Sequence, residues 1–307
     1  MQIIAGSREF HIKGKTAIAI GKFDGIHKGH QKLLAELLKQ KENGLQTLVF
    51  TFDPSPATFF SGRQEKILTT KEEKQQLFSD MGIDILVEFP MDQTTADMLP
   101  EQFVDEILIK GLHAGFIAAG TDLSFGKKGM GNSDTLERMA VNGGYRVEII
   151  DKVCIEGREI SSTYVREEVA VGHMETVNAL CGNPYRVHGT VSHGKKLGST
   201  KLGIPTVNLI PEPNKLLPPN GVYFSYVHLH DKRYYGMTNI GCKPTVKEDS
   251  QINLETFLYD FEEDVYGEEV LVELLSFRRP EQKFESLESL KKQMTADVTA
   301  GREYFSI

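Results

Sequence analysis

Two histidines spaced three residues apart stand where an apolar stretch, residues 17–20, gives way to a helix-like pattern. At a helix start such residues share a face, so both imidazoles can donate hydrogen bonds to one ligand. Unpaired N–H groups at a helix N-terminus attract anions, and glycines let a ligand approach the main chain. His27 and His30 therefore predict a phosphate site in a strand-turn-helix. The remaining predicted phosphate-binding residues of this turn are Gly21, Phe23, Asp24, Gly25 and Gly29.

The same histidine pair is also compatible with half of a metal site or with two solvated side chains. No third ligand stands nearby at metal spacing, because Asp24 falls on the turn and the three cysteines are remote in sequence. The residue types therefore favour phosphate over metal.

A second phosphate-type pattern groups three hydroxyls with a guanidinium, in Ser161, Ser162, Thr163 and Arg166. Hydroxyls before a helix often serve only as an N-cap. A planar, permanently charged arginine three residues beyond the last hydroxyl also suits a triphosphate. We therefore interpret this segment as part of a nucleotide site.

The pattern of predicted helices and strands that must position these residues changes near residue 183. Up to that point apolar runs alternate with helix-like stretches, which predicts a mostly parallel sheet whose ligands bind beyond the carboxyl ends of the strands. The segments 21–30, 52–56 and 120–122 are then expected on one rim. Beyond Asn183-Pro184, closely spaced strand-like segments predict a small antiparallel barrel, closed by a helix over 286–304. We expect two domains, 1–182 and 183–307.

The first half resembles the cytidylyltransferase-like nucleotidyltransferases, and its ten-residue turn 21–30 is most similar to that of bacterial FAD synthetases. The 160–166 segment resembles the end of their adenylyltransferase domain. The resemblance implies a Rossmann-like fold in which His27, His30, Ser162 and Arg166 stabilise the reacting phosphate. In the third family element, 120–126, it implies flavin contacts for Asp122 and Phe125. Leu123 and Ser124 depart from the family pattern.

The second half contains a glycine-rich, lysine-bearing loop that ends in Pro-Thr-x-Asn, a tail that resembles the signature of riboflavin kinases. By itself such a loop is also typical of ordinary turns. The resemblance assigns Thr206 and Asn208 to Mg²⁺ and the ATP phosphates, and Glu255 to the base that faces the ribityl hydroxyl. The loop residues predicted to bind phosphate are Gly194, Gly198 and Gly203.

Composition limits the class of protein. Acidic residues outnumber basic ones by 43 to 35, a net charge of −8, which argues against a general nucleic-acid or anionic-membrane binder. Three cysteines without a Cys-x-x-Cys indicate reduced thiols, and no signal peptide or membrane span is evident, so we expect a cytoplasmic protein. The sequence carries no information on oligomeric state.

Taken with both resemblances, these features predict an enzyme that uses ATP and Mg²⁺ to convert riboflavin to FMN and FMN to FAD. One alternative is a riboflavin kinase whose first domain has a weakened or inactive adenylyltransferase, suggested by Leu123 and Ser124. Another is a flavin-sensing regulatory protein, which the acidic balance and the lack of a DNA-reading motif disfavour.

Overall fold

The computed structural model describes residues 1–192, 206–230, 232–242 and 252–307. The chain divides into two compact units, Met1–Ser162 and Thr163–Ile307. This division comes earlier than the change in sequence character after residue 182, because two helices that precede the barrel group with the second unit.

The first unit is built on a six-stranded parallel sheet with strand order β1-β4-β3-β2-β5-β6. Its strands are β1 Gln2–Ala5, β2 Thr16–Ile20, β3 Gln46–Asp53, β4 Ile85–Pro90, β5 Ala114–Gly120 and β6 Arg146–Ile150. Its helices are α1 Lys28–Lys39, α2 Pro56–Ser61, α3 Lys71–Asp80, α4 Gln93–Ala96, α5 Pro100–Gln102 and α6 Ser133–Gly143. A π-helical segment, Phe103–Gly111, continues α5, and a small ribbon pairs β7 Cys154–Ile155 with β8 Arg158–Glu159.

Both faces of this sheet are covered, and the alternation along β2 shows why. Ile18 and Ile20 point into one apolar cluster, whereas Ala17 and Ala19 point into the other. Successive side chains of a strand face opposite sides, so a fully apolar strand requires a core on each face. Helices α1 and α3 cover one face through Leu34, Leu37 and Phe78, which lie in the second cluster.

The three segments expected on one rim do meet there. Neighbouring parallel strands β3, β2 and β5 end at Asp53, Ile20 and Gly120. The histidine turn, which we define as residues 21–30, follows the central strand of the three. The predicted mostly parallel sheet and the position of these three segments on one rim are thereby confirmed.

The second unit is a closed antiparallel barrel with strand order β10-β13-β12-β11-β14-β9, as predicted. Helix α7, Ser162–Val171, starts at the last residue of the first unit, and α8, Met174–Cys181, leads into the barrel. The strands are β9 Tyr185–Ser192, β10 Thr206–Leu209, β11 Gly221–Leu229, β12 Lys232–Cys242, β13 Ile252–Leu258 and β14 Glu269–Pro280.

The predicted closing helix is α9, Leu287–Phe305, and it packs on an aromatic surface of the barrel. Tyr304 stacks on Phe224 with ring centroids 4.2 Å apart. Arg279 of β14 forms a two-pronged ion pair with Asp297 of α9, whose carboxylate is buried. Among the described residues, no helix is both long and apolar enough to cross a membrane.

Candidate functional sites

The histidine turn has an unusual main-chain path. Phe23 and Ile26 have positive φ values of 50° and 37°, and Gly25 between them has a φ of 86°. Positive φ is uncommon for bulky or β-branched residues and is kept only where the surroundings impose it. Both side chains are almost completely buried, Phe23 at 0% and Ile26 at 2% exposure. Apolar burial therefore holds the turn in a shape that local preference would not select.

Asp24 anchors this turn to the segment before α3. Its buried carboxylate accepts hydrogen bonds from the main-chain N–H groups of Leu68, at 2.9 Å, and Thr69, at 3.2 Å. The N–H of Gly25 in return donates to the Thr69 hydroxyl at 2.9 Å. Asp24 thus stabilises the conformation of the turn through these hydrogen bonds, and Phe23 stabilises it through burial. Their predicted contact with phosphate stays a prediction.

The two predicted histidines come together at the start of α1. His27 is the N-cap of the helix, and its Nδ1 accepts a 3.4 Å hydrogen bond from the N–H of His30. The two imidazole rings stack with centroids 3.8 Å apart, and Phe23 lies 5.2 Å from the His30 ring. Because Nδ1 of His27 is an acceptor, the neutral ring carries its proton on Nε2 and can donate from there.

Burial keeps both histidines neutral. It lowers the pKa of His27 from 6.5 to about 4, although the carboxylates of Asp122 and Asp24 act in the opposite direction. It also lowers the pKa of His30 well below the ordinary value, with further lowering from His27 and Lys74. At neutral pH the pair therefore consists of uncharged hydrogen-bonding groups, so positive charge at this site must come from other groups.

The second predicted phosphate segment lies against the first. The Ser162 hydroxyl, at the start of α7, donates to the carbonyl oxygen of Asp24 at 2.8 Å. A Cβ on Gly29 would lie 3.1 Å from the His27 ring and 3.7 Å from the carbonyl oxygen of Ile160. A side chain at this position would therefore require the His27 ring to shift by a few tenths of an ångström.

The other predicted residues of this second segment differ in exposure. Ser161 is half-buried, Thr163 is exposed, and Arg166 lies one turn further along α7, on the same helix face as Ser162. The main chain thus presents the hydroxyls and the guanidinium as one short helical surface.

The two predicted flavin residues have different surroundings. Asp122 is exposed just beyond β5, where Lys152 approaches it at 3.7 Å. Phe125 is 4% exposed and packs against Phe103 with centroids 5.5 Å apart, inside the apolar cluster. Leu123 also packs against this cluster. The structure therefore places Asp122 on the rim and uses Phe125 mainly as core.

Sequence analysis missed a charged network that α3 brings to the same rim. Glu88 of β4 is 4% exposed, pairs with Lys71 at 2.7 Å and accepts a hydrogen bond from Gln75 at 3.1 Å. Lys71 also pairs with Asp53, and Lys74 donates to the carbonyl oxygen of Lys22 at 3.2 Å. The only sequence signal was the i, i+3, i+4 spacing of Lys71, Lys74 and Gln75 on one helix face.

In the barrel, β10 and β13 assemble the predicted kinase residues. Thr206 and Asn208 alternate along β10 and so share a face, and Asn208 lies directly opposite Glu255 of β13. The Asn208 Oδ1 accepts a 3.2 Å hydrogen bond from Asn253. Sequence analysis placed Thr206 and Asn208 at the end of a loop, but the structure puts both on a strand. Hydroxyl, amide and carboxylate oxygens on one face are suitable donors for a hard cation such as Mg²⁺.

Two further asparagines extend this oxygen-rich face. Asn239 of β12 lies on the other side of Glu255 in the register. Glu281 accepts from Asn239 at 3.4 Å and from Asn220 at 3.2 Å. A side chain on Gly241 would collide with the Glu281 carboxylate. Sequence analysis gave no signal for Glu281.

Three predicted phosphate residues, Gly194, Gly198 and Gly203, lie outside the described residues. Within the described ranges, no group of three or more His, Cys, Asp or Glu side chains converges to hold a metal ion. The assignment of Thr206 and Asn208 to Mg²⁺ and the ATP phosphates stays a prediction.

Comparison with known proteins identifies both halves. Residues 9–164 match the family described as FAD synthetase, and residues 181–305 match riboflavin kinase. A bifunctional riboflavin kinase/FMN adenylyltransferase of Listeria monocytogenes is 37% identical over 292 residues, with 94% of this chain and 92% of that protein covered. One from Haemophilus influenzae is 34% identical and fully covered on both sides.

Among solved structures, one named a macrolide-efflux protein from Streptococcus pneumoniae has a TM-score of 0.88 and 28% identity, and the match covers 98% of each chain. That name describes the other protein. The two family matches and the near-complete coverage by curated relatives agree with the two folds described above. The chain therefore belongs to the family of bifunctional riboflavin kinase/FMN adenylyltransferases.

Proposed function

We propose that the barrel domain phosphorylates riboflavin to FMN with ATP, and that the first domain then adenylylates FMN to FAD with a second ATP. The observation that carries this proposal is the presence of two separate phosphate-type sites in one chain. One is the buried histidine pair at the start of α1, and the other is the oxygen face of β10 and β13. Both matched families use ATP as a substrate.

In the first domain, an oxygen of the FMN phosphate attacks the α-phosphorus of ATP, and the bond to the β-phosphate oxygen breaks to release pyrophosphate. No protein nucleophile is needed, so the protein acts by positioning and by stabilising charge. The Nε2–H of neutral His27 and the imidazole of His30 supply hydrogen bonds to the phosphates. Arg166 supplies a permanent positive charge, and Ser161, Ser162 and Thr163 supply hydroxyls.

In the barrel, Glu255 accepts the proton of the terminal ribityl hydroxyl while that oxygen attacks the γ-phosphorus of ATP and ADP leaves. Phosphoryl transfer depends on positioning and charge neutralisation, with one group to take the proton. Thr206 and Asn208 would hold the ATP phosphates and Mg²⁺, and the hydrogen bond from Asn253 orients the Asn208 amide. When bound, Mg²⁺ neutralises the developing phosphate charge.

The remaining features of the proposal concern organisation and partners. We keep 1–182 and 183–307 as the functional domains, because the family matches end at 164 and resume at 181. Asp122 and Phe125 are proposed as flavin contacts, Asp122 from its exposed position on the rim. The partners are small molecules alone, without nucleic acid or membrane, and the location is the cytoplasm. The net charge of −8 supports the absence of nucleic-acid and anionic-membrane partners.

The test is a time course with purified protein, riboflavin, ATP and Mg²⁺, in which the flavins are separated and quantified. We expect riboflavin to be converted to FMN and FMN to FAD. Accumulation of FMN without FAD, even at high ATP, would refute adenylyl transfer and support the kinase-only alternative suggested by Leu123 and Ser124. No turnover of either flavin, combined with tight flavin binding, would support a sensor.

A further inference from the structure

Helix α3 points a row of polar side chains at the functional rim of the first unit. The helix starts with a capping box between Thr70 and Glu73, which fixes its first turn. Lys71 and Gln75 then contact the buried carboxylate of Glu88 at the end of β4. Lys74 lies on the same face, between these two contacts and the histidine turn.

Lys74 supports the main chain of that turn directly. Its ammonium group donates to the carbonyl oxygen of Lys22 at 3.2 Å. Lys22 precedes Phe23, the first residue of the turn with a positive φ. The side chain of Lys22 itself extends to Glu65 at 3.0 Å. The hydrogen bond from Lys74 therefore fixes the peptide at which β2 turns toward the histidines.

Lys74 also affects the protonation of His30. Burial lowers its pKa from the ordinary value, and Lys22 lowers it further, while the carboxylates of Asp24, Glu88 and Asp53 favour the charged form. The charge of Lys74 in turn contributes to the lowered pKa of His30. One ammonium group thus acts both on the turn and on the protonation of the histidine that follows it.

We propose that Lys74 is a positioning residue for adenylyl transfer, which holds the histidine turn through the Lys22 carbonyl and places its ammonium group close to His30. The inference rests on the proposed function of this site. A preorganised charge next to a reacting polyphosphate stabilises the transition state more than the bound substrate, because negative charge shifts during transfer. The effect of Lys74 is therefore expected mainly on kcat.

The test compares Lys74→Met, which removes the charge at similar length, with Lys74→Arg, which keeps a positive donor. The matched control is Lys41→Met. Lys41 also donates to a main-chain carbonyl, that of Gly82 at 2.7 Å, and pairs with Asp84 at 2.8 Å. These contacts lie next to the start of β4, away from the rim. Each variant is assayed in the full chain for FAD formation from FMN, for riboflavin phosphorylation and for thermal unfolding.

We expect Lys74→Met to lower kcat for FAD formation by roughly 100-fold, as for loss of one preorganised donor, with a smaller change in KM for ATP. Lys74→Arg should recover most of this loss, and Lys41→Met should match the parent. Riboflavin phosphorylation serves as the internal standard and should be unchanged. In an NMR titration of labelled histidine, the pKa of His30 should be higher in Lys74→Met than in the parent, because a nearby positive charge is gone.

Failure of this inference is distinguishable from failure of the proposed function. If the parent forms no FAD, adenylyl transfer itself is refuted. If the parent forms FAD and folded Lys74→Met has a kcat within about threefold of it, Lys74 has no positioning role. Equal losses in Lys74→Met and Lys74→Arg, with an unchanged pKa of His30, would reduce the role of Lys74 to packing and would likewise overturn the proposal.

Discussion

The buried, neutral state of His27 predicts that the first domain loses stability in mild acid, and that His27→Asn removes part of this loss. Asparagine keeps a side-chain oxygen that can accept the cap hydrogen bond from the N–H of His30 but does not titrate. In the unfolded chain the imidazole is protonated near its ordinary pKa of 6.5, whereas in the folded chain its pKa is about 4. Between these values the unfolded state binds the additional proton.

The sign and size of the effect follow from this difference. Stability rises with pH wherever the unfolded state binds more protons, so the contribution of His27 is fully present above the unfolded pKa and disappears as pH falls toward the folded one. At 1.36 kcal/mol per pKa unit, the whole contribution is about 3 kcal/mol, of which about 2 kcal/mol is lost between about pH 7 and about pH 5.

Urea unfolding of the full chain, followed by circular dichroism over this pH range, measures the effect. For the transition of the first domain, the free energy of unfolding should fall less steeply with acid in His27→Asn than in the parent, which corresponds to roughly 1 M in the urea midpoint. The control His113→Asn removes an exposed histidine of the same domain and should leave the parental pH dependence. Equal slopes for His27→Asn and the parent would refute a neutral, buried His27.

Three further predictions concern the two activities. His30→Ala should lower FAD formation from FMN on the order of 100-fold to 1000-fold, while riboflavin phosphorylation is unchanged. Retained FAD formation would show that the histidine pair has only a structural role. Glu255→Gln should lower riboflavin turnover by roughly 100-fold or more, with little change in riboflavin affinity. FMN should still be converted to FAD, and near-parental riboflavin turnover would rule out Glu255 as the base. A fragment of residues 183–307 should phosphorylate riboflavin and form no FAD, and a folded but inert fragment would contradict the proposed domain boundary.

Much of the fold could be predicted because its signals are local. The buried run before the histidine turn, the apolar spacing after it and the closely spaced strand segments beyond residue 183 each correspond to an observed element. The short strands β1 and β10 were missed, since four residues carry little periodicity. Helix α6 was also missed, because its pattern was not distinguished from the surrounding loops.

The parts of the sites that could not be predicted depend on contacts between distant segments. Lys74 reaches the Lys22 carbonyl only because α3 packs on the apolar cluster that it shares with β2, and the local sequence around Lys74 gives no sign of this contact. Glu281 joins Asn220 and Asn239 only once the barrel has closed. The positive φ values of Phe23 and Ile26 oppose local preference and are imposed by burial. Spacing locates candidate phosphate-binding residues more readily than the residues that hold them in place.

The closed barrel has a consequence for self-association. Each of its six described strands is hydrogen-bonded on both sides, so these strands offer no free edge to a second copy. The parallel sheet has two edges, β1 and β6. The β6 edge carries Arg146 and Glu148, whose charges oppose edge-to-edge pairing, whereas β1 exposes Ile3 at 44%. Intermolecular strand pairing during partial unfolding would therefore begin at β1, and a charged residue in place of Ile3 is the simplest protection against aggregation.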